Sequence, residues 1–212
     1  LDRRQPNRER STKITTDSSR NQIYEQRTVH GQNSVKKENS NEGTSPEEFS
    51  KNGIYFFHPK DWEVEEEEID EYVAISLEGP NLGSGSFQIF IFNQTEDIAP
   101  LKEFSQNYAE LMIEAPNNLV RFGSHTESEI KMQGKNGIIE GIRQRQEAVA
   151  LGDSEPTLRH FARLEDGGKV VFLVSDETDP EGMTAESKVY DDSAANKVAF
   201  ELIFKTFQIQ GF

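Results

Sequence analysis

Phe87-Gln88-Ile89-Phe90-Ile91-Phe92 is the stretch on which the fold turns. Its apolar residues occupy odd and even positions alike. Side chains of a strand alternate between faces, so this one is apolar on both. Such a strand must be covered on each side, and the pattern predicts the centre of a sheet. Upstream, Gly79-Pro80 and Gly83-Ser84-Gly85-Ser86 break the chain. Downstream, Leu101, Phe104, Tyr108, Leu111, Met112 and Ala115 recur at helical spacing. Pro100 suits the first turn of that helix and Pro116 its stop.

Working outward, Ile54, Tyr55, Phe56 and Phe57 form a short strand ended by His58-Pro59. Trp62, Val64 and Glu66 then alternate with Glu63, Glu65 and Glu67, a second strand. A turn at 69–71 leads to a third over 72–77. Beyond the helix, a strand over 119–132 turns at 133–137 and returns over 138–145. Residues 158–164 and 169–175 flank Glu165-Asp166-Gly167-Gly168, a hairpin signal. The last helix begins at Ser193 as N-cap. Val198, Ala199, Leu202, Ile203 and Thr206 line one side of it, and Phe200, Phe204 and Phe207 another. Strands joined by hairpins make an antiparallel sheet, and helices with apolar faces must pack on it. The expected class is α+β: an α/β/α sandwich with a central antiparallel sheet and two main helices.

Over residues 53–209 the chain resembles the Mog1/PsbP superfamily. Tyr55-Phe56-Phe57-His58-Pro59-Lys60-Asp61-Trp62 is similar to its aromatic–Tyr-Pro-x-x-Trp opening, with His58 where Tyr is commoner. The two-faced strand at 87–92 is followed by a helix near Pro100, as in that group. Met132-Gln133-Gly134-Lys135 is similar to its Leu-x-Gly-x-Pro turn without the Pro, and Ile203-Phe204-Lys205-Thr206-Phe207 to its closing Ile-x-x-Ser-Phe. The resemblance implies mostly non-catalytic roles. Members include an extrinsic photosystem subunit, a small-GTPase-binding protein and bacterial lipoproteins, and a related group are chaperones for secreted effectors. The matched positions are core and turn residues, so no binding residue is carried over, and none of them supports a light-harvesting role.

Charge divides the chain of 212 residues sharply. Residues 1–50 carry nine Lys/Arg against eight Asp/Glu, a net of +1, with almost no apolar residues. That segment cannot offset its chain entropy by burial, so a disordered polar tail or tether is expected there. Residues 51–212, the expected domain, carry 14 Lys/Arg against 30 Asp/Glu, a net of −16. A domain that acidic repels phosphate backbones and anionic lipid, which argues against nucleic acid and leaves membrane contact to an upstream anchor. A protein partner, basic in character, fits the charge. The absence of cysteine excludes disulfides, thiolate metal sites and a cysteine nucleophile.

Few residues carry a chemical signal. Glu63, Glu65 and Glu67 would share one strand face, where a basic partner docks or where charge simply protects an edge. Asp176, Glu177, Asp179 and Glu181 supply oxygen ligands without the spacing of a calcium loop. Gly83-Ser84-Gly85-Ser86 precedes a strand and has no following Lys, unlike a phosphate loop. Of His30, His58, His125 and His160, no pair has metal-ligand spacing. Ser124 and His125 are too little to constitute a triad. Trp62 reads as core. Arg143, Arg145, Arg159 and Arg163 form either a basic stripe or cross-strand pairs with Glu140, Glu147 or Glu165. Asn93-Gln94-Thr95 is a glycosylation sequon. No cofactor is implied.

The reading that follows is a non-catalytic binding or assembly module, extracytoplasmic and tethered by its tail, with an anchor expected upstream of Leu1. A cytoplasmic adaptor or chaperone cradling a client helix is the alternative, and an unrecognised hydrolase the third.

Overall fold

The strand carrying the opening stretch, β5 (Ser86–Phe92), is hydrogen-bonded on both sides, to β4 (Tyr72–Glu78) and to β10 (Lys169–Thr178). The computed structural model describes residues 45–69, 71–81, 85–93, 98–114, 120–150, 153–154, 156–181 and 192–210. Residues 1–44, where the disordered tail is expected, lie outside them.

Among the described residues the main sheet runs β3-β4-β5-β10-β9-β7-β6, and β8 pairs with β7. Its other members are β3 (Glu63–Ile69), β6 (Val120–Gly134), β7 (Gly137–Ala150), β8 (Asp153–Ser154) and β9 (Thr157–Asp166). Every pairing is antiparallel. A smaller sheet joins β1 (Pro46–Lys51), β2 (Ile54–Pro59) and β11 (Gln208–Ile209) in the order β1-β2-β11. The helices are α1 (Leu101–Glu114) and α2 (Ser193–Thr206). The described part is thus mostly antiparallel sheet with two helices, an α+β arrangement.

Each face of the central strands has its own core. Phe87, Ile89 and Ile91 of β5, with Val171 and Leu173 of β10, cluster with Ala199, Phe200, Ile203 and Phe204 of α2. The alternate residues, Phe90 and Phe92 with Val170, Phe172 and Val174, cluster with Phe104, Tyr108 and Met112 of α1. Phe104 lies flat on Phe172 at 3.9 Å between ring centroids. Both sets satisfy the demand that a two-faced strand be covered twice. The middle position of the main sheet falls to β10 rather than β5, and residues 169–175 of β10 are buried throughout. The turn between β9 and β10 is Gly167-Gly168, both with positive φ (57° and 79°), as a two-residue hairpin with right-handed strand twist requires.

Several local expectations are corrected. Residues 46–50, assigned to the tail, belong to β1 instead, because Phe49 stacks on Phe56 at 4.8 Å and brings β1 onto the core. The carbonyl of Pro100 accepts the Phe104 N–H at 2.9 Å, so Pro100 precedes the first turn of α1 instead of lying in it. The N-cap of α2 is Asp192, without a side-chain cap bond, and Ser193 is the first helical residue. Val198 points outward, 69% exposed, while Asn196 is buried. The reason is a long-range bond: Asn196 Oδ1 accepts the Gly85 N–H at 2.9 Å and ties α2 to the entry of β5. At the other end of α2, Thr206 Oγ1 accepts the Phe57 N–H at 2.9 Å and fixes the helix to β2.

Candidate functional site

The acidic strand β3 forms one end of the main sheet. Glu63, Glu65 and Glu67 are all exposed and stand opposite Glu78, Ser76 and Ala74 of β4, and Glu66 and Glu68 are exposed as well. Glu63 facing Glu78 places two carboxylates directly across a strand pair, a mildly unfavourable contact. Glu66 and Glu68 leave by the other face, opposite Ile75 and Val73. Glu66 accepts Lys51 Nζ at 2.7 Å and Asn52 Nδ2 at 3.0 Å.

The four acidic residues near the end of β10 are not brought to one point. Asp176 accepts Arg159 Nε at 2.8 Å. Asp179 accepts Arg145 Nε at 2.7 Å and, through its other oxygen, the Glu181 N–H at 3.1 Å. That bond to Asp179 is the main reason the Arg145 guanidinium is held above its ordinary pKa. Glu177 follows Asp176 in the strand and so projects to the opposite face. No grouping of three or more His, Asp or Glu with metal-ligand geometry occurs among the described residues.

The four arginines are divided between environments. Arg143 is exposed. Arg145 and Arg163 pair with the carboxylates two residues along their own strands, Glu147 at 2.7 Å and Glu165 at 2.9 Å. Arg159 is wholly buried on the face that α1 covers. Neither a continuous stripe nor the cross-strand pairing expected with Glu140, Glu147 or Glu165 describes them, because Arg159 alternates to the other side from Arg143 and Arg145.

Around Arg159 lies a polar core that sequence reading missed. Its Nη1 donates to Gln146 Oε1 and, at 3.4 Å, to Gln144 Oε1. Its guanidinium lies 5.5 Å from the centre of the Tyr108 ring and 5.2 Å from that of Phe122. Gln144 Nε2 donates to the Ser105 carbonyl at 3.0 Å and to Glu127 at 3.2 Å. Gln146 Nε2 donates to the carbonyls of Ala109 and Gly123 at 3.3 and 3.1 Å. Ser105 Oγ donates to Glu127 at 2.8 Å, and Tyr108 Oη to Gln88 at 3.1 Å. Helix α1 is therefore clamped by hydrogen bonds as well as by its aromatic rings. Arg143-Gln144-Arg145-Gln146 in the sequence is uniformly polar and carries no mark of which pair turns inward.

His125 Nε2 is 3.8 Å from Glu127, and Ser124 is exposed. His58 is buried in β2, with its Nδ1 2.8 Å from the Pro59 carbonyl. His160 Nδ1 lies 3.1 Å from Ser175 Oγ. Burial, and secondarily the nearby Arg143 charge, lowers its pKa to about 4, so the ring is neutral at ordinary pH. Trp62 packs edge-on against Phe200 at 5.8 Å, the core position expected of it.

No family model matches the chain, and no curated protein does. Among solved structures, the chain is similar to LpqN, described as involved in cell envelope biogenesis of Mycobacterium tuberculosis. The two are 16% identical, with 78% of this chain and 90% of that one covered and a TM-score of 0.42. It is also similar to PA94 from Pseudomonas aeruginosa, a protein of unknown function described as a putative regulator. There the identity is 15%, the coverage 71% of this chain and 94% of that one, and the TM-score 0.32.

Proposed function

We propose that this chain is a non-catalytic binding or assembly module that receives a basic protein segment along β3. One observation carries the reading: β3 ends the main sheet, and Glu63, Glu65 and Glu67 stand exposed along one of its faces. An end strand offers unpaired backbone N–H and C=O groups to an incoming strand. Lys or Arg at every second position of that strand would meet the three carboxylates in turn. A cation there also relieves the Glu63–Glu78 contact.

The same proposal takes the two-sided cover of β5 and β10 as the α/β/α sandwich of Mog1/PsbP-like proteins. It places the module outside the cytoplasm, held there by the polar residues that precede β1. The test is fluorescence anisotropy with a labelled peptide alternating Lys and Thr. Binding is expected to fade between low salt and about 0.5 M salt, as screening dictates. It is expected to vanish in the Glu63→Gln, Glu65→Gln, Glu67→Gln triple variant. Equal binding by the triple variant overturns the docking surface, and recovery of the native protein in the cytosolic fraction overturns the location.

A further inference from the structure

A second acidic–basic arrangement lies on the other face of β3 and does not depend on the docking reading above. There the turn of the β1–β2 hairpin overhangs the end of the main sheet, leaving an open cleft of about 830 Å³. Its floor is apolar, from Val73 of β4 and Ile91 of β5. One side is walled by Glu66 and Glu68 of β3, and the other by Lys169 and the Gly167-Gly168 turn.

Lys169 is only 8% exposed, and its Nζ donates to Asn93 Oδ1 at 2.7 Å. That bond draws the ammonium inward from β10 to the end of β5. The overhanging turn holds it there. Gly53, whose φ of +71° favours glycine, comes close to the lysine stem: a Cβ there would lie 2.7 Å from Lys169 Cε. A positive charge is thus fixed at one end of the cleft. At the other end Glu66 is already bonded to Lys51 and Asn52, whereas Glu68, exposed, has no ion pair with a described residue. From Asn93 at the end of β5 to Glu68 on β3 is two strand steps sideways and two residues along, about 12 Å between backbones.

We infer that this cleft binds a basic α-amino acid unit with a free carboxylate, either as the free amino acid or as the C-terminal residue of a peptide. The carboxylate would pair with Lys169 beside the backbone of Gly167-Gly168, in a charge-assisted contact. The aliphatic stem would cross Val73 and Ile91. The cationic head would reach Glu68. Bond lengths put the charged ends of an extended Lys or Arg about 8 Å apart, and a contact of about 2.8 Å at each end brings the span to about 13–14 Å, the scale of the gap. A neutral or acidic side chain meets only the apolar floor and a repelling carboxylate, so the site discriminates by the charge at its far end.

Calorimetric titration of the full chain with the tripeptide Gly-Gly-Arg, its C-terminal amide and free L-arginine tests this. The free-acid peptide is expected to bind, and the amide to bind about tenfold more weakly or worse, as loss of a charged contact implies. Glu68→Lys, an exposed substitution that leaves the core untouched, should lose binding by at least as much. Lys169→Met should do the same where its circular dichroism matches that of the parent. L-arginine binding as well as the peptide assigns the site to the free amino acid, and peptide binding alone assigns it to a chain terminus. Equal binding of acid and amide, unchanged binding by Glu68→Lys, or absence of heat at millimolar concentration overturns the inference.

Discussion

The two faces of the main sheet are held by different physics. On the α2 face, Phe87, Ile89, Ile91, Leu173, Phe200, Ile203 and Phe204 make a continuous apolar contact. Dispersion and hydrophobic burial have little directionality, so this face depends on volume and fit. On the α1 face the aromatic contact of Phe104 and Phe172 gives way, toward β7 and β6, to Arg159, Gln144, Gln146 and Glu127. There every group needs a particular partner at a particular distance, because a buried charge without one is far costlier than a buried gap. One helix rests on a surface that tolerates exchange, the other on one that does not.

The sharpest way to break this comparison is at Arg159. Arg159→Leu keeps bulk but leaves Asp176, Gln144 and Gln146 without their donor. A loss of about 3–5 kcal/mol is expected, as when one partner of a buried ion pair is removed. It would be read from urea unfolding of the full chain. A loss under about 1 kcal/mol would show that water replaces the guanidinium readily and that the polar core is not a clamp.

His160 sharpens the comparison from the other side, since it is a polar residue on the face otherwise packed by α2. Its folded pKa, about 4, lies below the ordinary histidine value. The unfolded state therefore binds the proton first as pH falls. Stability should be unaffected above pH of about 6.5, then fall by up to about 1.4 kcal/mol per pH unit down to the folded pKa. Carboxylates titrate over part of the same window, so the measurement is the difference between the parent and His160→Asn. A difference that stays flat from pH 7 to 4.5 would mean that the ring is not shielded from water.

The smallest effect should come from Ile203, 0% exposed at the centre of the α2 cluster. Ile203→Val removes one methylene and should cost about 0.5–1.5 kcal/mol in urea unfolding. A cost approaching that of Arg159→Leu would erase the contrast between the faces.

Much of the apolar frame can be read from local pattern. The two-faced run at 87–92, the helical spacing from Leu101 to Met112 and the Gly167-Gly168 hairpin each occur in the structure where the sequence puts them. That Glu63, Glu65 and Glu67 share one face was legible for the same reason, because period two is a property of the chain itself. The failures share a cause. Asn196 turns inward and Val198 outward because of a backbone N–H 111 positions away, at Gly85. β1 joins the fold through one ring, Phe49, set against a strand that sequence alone could not place beside it.

Local pattern was enough to find both helices and the strands from Ile54 onward that alternate or run apolar, to show which of them need cover on both sides, and to show where charge accumulates. These follow from periodicity and composition within a few residues. Only the tertiary structure decided which arginine of the second strand group is buried, which carboxylates it consumes, and that Lys169 faces Glu68 across an apolar floor. The reason is that a polar residue's burial is set by partners from other strands, and those meet only once the sheet's order and register exist.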